Sequence, residues 1–380
     1  MKYNETLTNK NLSNPLQKRN SSIECLKVSA IILIILCHSI PHYPGEIGMV
    51  DLNYATSSFS KIIMLFLYYG GQFGNVIFVV CSAWFLLDSS KNNFNKVLYI
   101  MVDCLIISVG FCFVFLTLGF TLTVKDIVRS FFPITFENNW FIGCYLMLYI
   151  THPILNFAIN KMKKKELLIT VCGIFLIFFG VEFILPGTHR FSRYVGFMSI
   201  YFVVAYMKKY LKNTSHSIRY NFVILAVSSV SFVSLILLTN ILGLHVSALS
   251  DKMLRWCNIK NPLIIIIVLT CFNLVRSREF VNPHINYISG SSLLIYILHR
   301  DALIKDRVEL NFYQMIAQEG NHHILIWAFV VAMTMFFGAL VMSIIYRHSV
   351  QKITQKLCDK LIKYLLKLFG RLFDVILRFD

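Results

Sequence analysis

The sequence predicts an all-α, polytopic membrane protein with about ten transmembrane helices in one bundle. Of its 380 residues, 57% are hydrophobic and only 14% are charged, well below the roughly 25% charged residues of soluble domains. Several windows of about 18 residues contain few charged residues. A helix of about this length is needed to cross a bilayer. Together these observations exclude a soluble nucleic-acid-binding protein, although the net charge is +17.

Ten apolar segments are the predicted spans. They cover 27–42, 62–87, 97–118, 140–160, 167–186, 194–207, 220–244, 261–275, 284–300 and 323–346. An even number of spans places both termini on the same side of the membrane. On this topology 25 of the 36 Lys and Arg lie on that side, and the positive-inside rule therefore predicts that both termini are cytoplasmic.

The chain divides into three predicted regions. Residues 1–22 are rich in Asn, Ser and Lys and are expected to form a flexible cytoplasmic arm without a cleavable signal. Residues 23–346 form the transmembrane domain. In residues 347–380, Lys and Arg alternate with Leu, Ile and Phe at helical spacing, which predicts a basic amphipathic helix on the anionic lipids of the inner leaflet.

The first span carries charged and polar residues at a regular spacing. Glu24 and Lys27 are three residues apart and are therefore neighbours on one helix face. His38 follows Lys27 by eleven residues, which places it within about 20° of the same face and about 16 Å further along the axis. A polar side chain in hydrocarbon has to face the bundle interior or water. The span is thus predicted to present an ion pair and an imidazole along one stripe.

Two interpretations of His38 remain open. An imidazole has a pKa near the operating pH, so His38 is a candidate general base in a dry site. The alternative is a structural hydrogen bond between helices, or an interfacial position near the helix end.

Small and polar residues mark the second span. Gly70, Gly71 and Gly74 permit a close helix approach or an irregular entry into the membrane. Asn75 and Ser82 are candidate hydrogen-bond donors, although packing alone also explains a small residue such as Ser82.

In the third span, Asp103 needs a partner inside the membrane. Lys96 or Lys27 is the expected partner of Asp103, which follows Lys96 by seven residues and lies on nearly the same helix face. The ten Cys are scattered without a C-x-x-C pair, so we expect small apolar residues and neither disulfides nor a metal site. No permanently bound cofactor is expected.

The fourth and ninth spans bring polar side chains to the outer side. Glu137 and Trp140 stand at the start of the fourth span, where Trp is typically an interfacial anchor and Glu can bind a sugar hydroxyl. Ser292, Tyr296 and His299 recur on one helical face of the ninth span. For His299 an interfacial role is the alternative to a functional one.

Five segments, in order, resemble motifs of the acyltransferase type 3 family of bacterial membrane proteins. They are Arg19 through His38, Phe78 through Trp84, Asn139 through Pro153, Gly196 through Tyr210 and Ile295 through His299. The resemblance covers residues 19–346. Two positions depart from the family pattern: Lys27 stands where Arg is usual, and Tyr99 stands where a second basic residue often follows Lys96.

The resemblance implies an enzyme of the bacterial cell membrane that moves an acyl group, usually acetyl, from cytoplasmic acyl-CoA to a hydroxyl of a surface or lipid-linked glycan. Catalysis is then assigned to His38, Glu24 and His299. Binding of the CoA phosphates is assigned to Arg19, Lys27 and Lys96. Glu137 and Trp140 are assigned to the acceptor sugar, and the candidate donors to the oxyanion are Ser82, Asn75 and Tyr296.

Two other classes of function remain as alternatives. A transporter or flippase of glycans or small acids is typically built from inverted repeats with broken helices, and the sequence shows no convincing internal repeat. A purely structural scaffold leaves the charges inside the membrane unexplained.

Overall fold

The computed structural model is described over ten stretches of the chain. These are residues 19–40, 58–89, 93–135, 139–181, 193–211, 218–243, 245–246, 256, 258–313 and 323–376. Within these stretches all regular secondary structure is helical, and no strand occurs. The predicted all-α class is confirmed. Most of the predicted N-terminal arm and Glu137 lie outside the described residues.

Thirteen α-helices are labelled here in chain order. They are α1 (Ser21–His38), α2 (Ser58–Leu86), α3 (Phe94–Thr117), α4 (Val124–Phe131), α5 (Trp140–Lys161), α6 (Lys164–Leu176), α7 (Arg193–Tyr210), α8 (Ile218–Gly243), α9 (Pro262–Arg276), α10 (Pro283–Ser289), α11 (Ser292–His299), α12 (Ile324–His348) and α13 (Val350–Ile376). Two π-helical stretches, Ile177–Val181 and Ile304–Glu309, follow α6 and α11.

Six of the described helices are long and apolar enough to cross a membrane. They are α1, α2, α3, α5, α8 and α12. The other predicted spans correspond to helices that are shorter or more charged; α9, for example, is apolar but has only 15 residues. The chain is therefore a helical membrane protein, and the number of ten spans stays a prediction.

The ninth predicted span, 284–300, is not one continuous helix. α10 has 7 residues and α11 has 8, and Gly290 and Ser291 separate them in a turn. Gly lowers helix stability and Ser competes for backbone hydrogen bonds, so both residues favour an interruption. The prediction of a continuous span was wrong at this point.

α1 lies at the centre of the bundle and contacts α2, α9, α10, α11 and α12. It begins six residues before the predicted span, because the Asn20 side chain accepts a hydrogen bond from the Ser22 N–H at 3.0 Å and caps the helix. It ends at His38. His38 is thus the last helical residue and does not lie in the helix interior.

The glycines of α2 allow it to pack closely on α1. A Cβ atom at Gly71 would lie 2.6 Å from the Cys37 sulfur, and one at Gly74 would lie 2.5 Å from the Ala30 carbonyl oxygen. Real Cβ atoms do not approach that closely, so these two glycines set the distance between the helices. The predicted close approach is confirmed. α2 therefore runs antiparallel to α1, with Gly71 near the His38 end.

Candidate active site

His38 and His299 meet where α1 and α11 end. The His38 Nδ1 lies 3.1 Å from the His299 Nε2, and the two ring centroids are 5.3 Å apart. His299 is only 3% exposed. The sequence predicted each histidine separately, and the structure brings them together. We call this part of the bundle the histidine end.

The hydrogen bonds of His299 define the tautomers of the neutral pair. Its Nδ1 lies 2.9 Å from the Ile295 carbonyl oxygen, which can only accept, so Nδ1 carries the proton. The His299 Nε2 is then an acceptor, and the His38 Nδ1–H donates to it. The neutral His38 ring consequently has its basic lone pair on Nε2, which is the arrangement that a general base requires.

A row of aromatic rings leads away from the histidines. Tyr296 lies edge-on to His299 with centroids 5.5 Å apart, and Phe141 lies 5.3 Å from Tyr296. Trp140 follows at 5.8 Å from Phe141, and the Arg193 guanidinium lies 4.8 Å from the Trp140 ring centroid. The predicted residues Trp140 and Tyr296 therefore belong to one row of aromatic side chains, and Arg193 packs on the Trp140 ring at the end far from the histidines.

A buried ion pair that the sequence did not indicate lies beside the histidines. The Arg300 guanidinium is 3.7 Å from Oε2 of Glu309, and the Glu309 side chain is 5% exposed. The other carboxylate oxygen, Oε1, is buried and has no hydrogen-bond partner within the described part of the chain. One turn further on, the Tyr313 hydroxyl donates to the His38 carbonyl oxygen, which holds this segment against the end of α1.

Glu24 lies far from the histidines. The Lys27 Nζ is 3.2 Å from both of its carboxylate oxygens, and the Ser289 hydroxyl donates to Oε2. Glu24 and His38 are fourteen residues apart on α1, which is about 21 Å. The predicted Glu24–Lys27 pair is confirmed, whereas the structure does not bring Glu24 to the predicted catalytic histidines. Its contacts tie α1 to α10.

Further cations gather around Trp84 at the end of α2. The Lys208 Nζ lies 4.8 Å and the Arg276 guanidinium 5.0 Å from the Trp84 ring centroid. Lys208 also donates to the Trp84 carbonyl and lies 2.6 Å from Asp88. A cavity of about 230 Å³ opens beside them, lined in part by Asp88, Asn156 and Lys208. Lys208 and Arg276 stand in the last turns of their helices, and the sequence did not indicate that they meet at Trp84.

The three predicted donor-binding cations lie near the same end of the bundle in separate settings. Lys27 faces the Phe85 ring at 5.3 Å, and Lys96 lies 4.8 Å from the Tyr149 ring centroid. Arg19 approaches Gly290, with Nη1 3.8 Å from the position of a Cβ there. We call this part of the bundle the basic end, defined by Lys27, Lys96, Lys208 and Arg276.

The predicted partner of Asp103 was wrong. Its carboxylate accepts hydrogen bonds from the Tyr346 hydroxyl and from the Gln351 side chain, both at 2.8 Å. The junction between α12 and α13 lies against α3 at this point, and it supplies neutral donors where a lysine was expected. Lys96 instead lies over Tyr149.

The remaining predicted residues are spread along α2. Asn75 is buried and lies four residues beyond Gly71, about 6 Å along the axis from the His38 level. Ser82 is eleven residues beyond Gly71, about 16 Å toward the basic end. Of the three predicted oxyanion donors, Tyr296 is the one whose ring contacts a histidine.

A model of a protein family described as an acyltransferase domain matches residues 20–346 of the chain. The chain belongs to the acyltransferase type 3 family. No curated protein and no solved structure matches it. The family match confirms the resemblance and identifies a membrane acyltransferase.

The matched region of this acyltransferase includes both ends of the bundle. It contains Lys27, His38, His299 and Glu309, and it stops before α13. An acyl transfer needs a base for the acceptor, a donor for the developing oxyanion and a site for the acyl carrier. The histidine end offers the first two, and the basic end offers charges for an anionic carrier.

Proposed function

We propose that this acyltransferase transfers an acyl group, acetyl in the first instance, from acyl-CoA held at the basic end to a glycan hydroxyl at the histidine end. The observation that carries the proposal is the contact of 3.1 Å between His38 and His299. It lies eleven residues along α1 from Lys27, which is about 16 Å. A long, thin pantetheine arm suits such a separation between phosphate and thioester.

The basic end matches the chemistry of CoA. Phosphates are bound by cations, and Lys27, Lys96, Lys208 and Arg276 lie around the ends of α2 and α3. The Trp84 ring contacts two of these cations, Lys208 and Arg276, and so holds them close together at the end of α2. Glu24 acts in this proposal as a positioning residue for Lys27 and not as a group that touches the reacting atoms.

The histidine end then performs the transfer. The acceptor hydroxyl gives its proton to the His38 Nε2 while its oxygen attacks the thioester carbonyl carbon. As the new C–O bond forms and the C–S bond breaks, the CoA thiolate leaves and takes the proton from the His38 imidazolium. His299 accepts the hydrogen bond from the His38 Nδ1–H throughout and stabilises its positive charge. Tyr296 is the candidate donor to the oxyanion.

The outer residues suit a glycan acceptor. Trp140 has an aromatic face for the apolar face of a sugar ring, and Arg193 fixes its orientation. The buried Glu309 oxygen that has no hydrogen-bond partner among the described residues can accept a hydrogen bond from a sugar hydroxyl, because an unpaired buried carboxylate oxygen is unfavourable until it is satisfied. The assignment of Glu137 to a sugar hydroxyl stays a prediction from the sequence.

The proposal also includes a location in the bacterial cytoplasmic membrane, with both termini in the cytoplasm. The support is the excess of 25 of 36 Lys and Arg on one side of the ten-span topology. Donor then enters from the cytoplasm, and the acceptor reaches the histidine end from the outer face.

One observation favours the transporter alternative. The break between α10 and α11 at Gly290 resembles the discontinuous helices on which transporters build their sites. A transporter moves its substrate without making a covalent bond. The acyltransferase family match favours the transferase.

Sealed vesicles with the purified protein in one orientation test the proposal. Acetyl-CoA labelled in the acetyl group is confined to the cytoplasmic side, and the glycan acceptor to the other. We expect the label to appear covalently on the glycan. If product forms only when both reagents are on the cytoplasmic side, transfer of the acyl group across the membrane is contradicted. The assignment as an acyltransferase then still holds. Glycan that crosses the membrane without label identifies a transporter.

A further inference from the structure

α13 starts directly after a candidate membrane-spanning helix. α12, a helix long and apolar enough to span, ends at His348, and α13 begins at Val350. The 27 residues of α13 give a rod about 40 Å long. Because only one residue separates the two helices, the first turn of α13 has to lie at the same depth as the end of α12.

One face of α13 is held by α3. The Asp359 carboxylate accepts hydrogen bonds from the Asn95 side chain at 2.7 Å and from the Tyr99 hydroxyl. One end of the helix is held similarly, because the Gln351 side chain donates to Asp103 at 2.8 Å. These bonds fix the rotation of α13 about its own axis, so the side chains on its other faces have defined directions.

A second face of α13 is apolar and exposed. Ile353, Leu357, Leu361 and Tyr364 recur at intervals of four, four and three residues, which places them on one stripe. Their exposed fractions are 61%, 58%, 48% and 65%. A surface helix in water would normally carry polar side chains there.

A row of lysines flanks this stripe. Lys352, Lys356, Lys360 and Lys363 are all exposed and lie about 100° around the helix from the apolar side chains. The whole helix contains six Lys and Arg and two Asp, and α3 holds one of these aspartates, Asp359. The exposed surface of α13 is therefore apolar on one side and strongly positive on the next.

We propose that α13 docks on an anionic bilayer surface. The apolar stripe enters the boundary between headgroups and acyl chains, and the lysine row binds lipid phosphates. A second copy of the chain fits this surface less well, because pairing two such faces brings lysine rows of the same charge together. The proposal is independent of the acyl-transfer reaction and concerns a region outside the family match.

Hydrogen–deuterium exchange of the full-length protein in lipid nanodiscs tests the proposal. Discs of phosphatidylcholine alone are compared with discs that also contain phosphatidylglycerol. We expect amides of residues 350–364 to exchange more slowly in the anionic discs, by roughly tenfold or more, and high salt to reduce the difference. Equal exchange in both discs overturns the proposal.

Two variants separate charge from apolar insertion. Replacement of all four lysines of the row by Gln should remove the dependence on phosphatidylglycerol, whereas Lys165→Gln, an exposed lysine elsewhere on the protein, should leave it unchanged. Ile353→Ser combined with Leu357→Ser should accelerate exchange in both kinds of disc. Protection that depends on protein concentration and not on lipid charge would identify a second copy as the partner and overturn the proposal.

Discussion

The Nδ1 atom of His38 lies 3.1 Å from the Nε2 atom of His299. The Ile295 carbonyl holds the proton of His299 on Nδ1, so His299 accepts and His38 donates. The same order of base and orienting group operates in hydrolases with a histidine base and a carboxylate behind it. Here the second group is neutral, and it stabilises the imidazolium by a hydrogen bond rather than by a full charge.

Loss of either histidine should slow acyl transfer while leaving donor binding intact. We expect His38→Ala to reduce kcat by about 10²–10⁴-fold, the usual contribution of a general base. His299→Ala should cause a loss of similar order through His38, and the double variant should be no slower than the slower single variant, because the two act as a unit. The measurement is label transfer to the glycan at varied acetyl-CoA.

KM for acetyl-CoA should stay constant in these histidine variants, since the basic end lies about 16 Å away. A His299 variant with normal kcat would remove that residue from the mechanism. If KM rises while kcat is unchanged, the histidines contribute to donor binding instead.

Lys27 should contribute to donor affinity. Lys27→Ala alone leaves Glu24 buried with Ser289 as its remaining partner, which costs about 1–3 kcal/mol of stability. The informative variant therefore combines Lys27→Ala with Glu24→Gln, and we expect its Kd for acetyl-CoA to rise by about tenfold. Lys27→Arg should bind as well as the natural protein or better.

Titration calorimetry of the solubilised protein measures these affinities, and Lys125→Ala, at an exposed lysine of α4, serves as the control. Equal Kd values across the Lys27 series would mean that the donor phosphates bind elsewhere.

Gly74 should be intolerant of a side chain. A Cβ there meets the Ala30 carbonyl oxygen at 2.5 Å, so Gly74→Ala forces α1 and α2 apart and should cost about 1–3 kcal/mol. Gly110 in α3 is the matched control, because a Cβ there meets nothing within 4 Å. Gly110→Ala should stabilise the protein by about 0.5–1 kcal/mol through helix propensity. Unfolding in denaturing detergent gives both values, and equal effects would contradict the close packing.

Asp126 in the first turn of α4 should make the stability of the protein depend on pH in the acidic range. Burial opposes its ionisation, but hydrogen bonds from Thr123 and the charge of Arg307 outweigh burial and hold the pKa of Asp126 below its usual value. A lowered pKa stabilises the fold above the unfolded-state pKa of about 3.9, and that stabilisation disappears as the pH falls through the folded-state pKa.

The check is the difference in Tm between the natural protein and Asp126→Asn. We expect the natural protein to be more stable at neutral pH and the difference to shrink as the pH falls below about 4. A difference in Tm that is constant over this range would show that the Asp126 charge does not contribute.

Properties of single helices could be predicted from the sequence. The Glu24–Lys27 pair and the position of His38 relative to Lys27 follow from the helical period, which is local information. The close approach at Gly71 and Gly74 was also foreseeable, because small residues at helical spacing favour close packing.

Contacts between distant parts of the chain could not be predicted. His38 and His299 are 261 residues apart, and no property of either segment specifies that they meet. The ion pair of Arg300 with Glu309 also forms only because the segment after α11 folds back on the histidine end. The break at Gly290 was missed for a related reason, because the hydrophobicity of the ninth span runs across it.

α1 is a single uninterrupted helix in which Lys27 is the seventh residue and His38 the last. The spacing between the proposed carrier anchor and the proposed base is therefore constant, and no rigid-body movement of one helix against another can alter it. If the catalytic cycle includes opening and closing, the displacement has to occur in the parts that face α1. The turn at Gly290 lies between α10, which Ser289 and Glu24 fasten to α1, and α11, which carries His299. In such a cycle the site would open when α11 carries His299 away from His38 while α1 remains stationary.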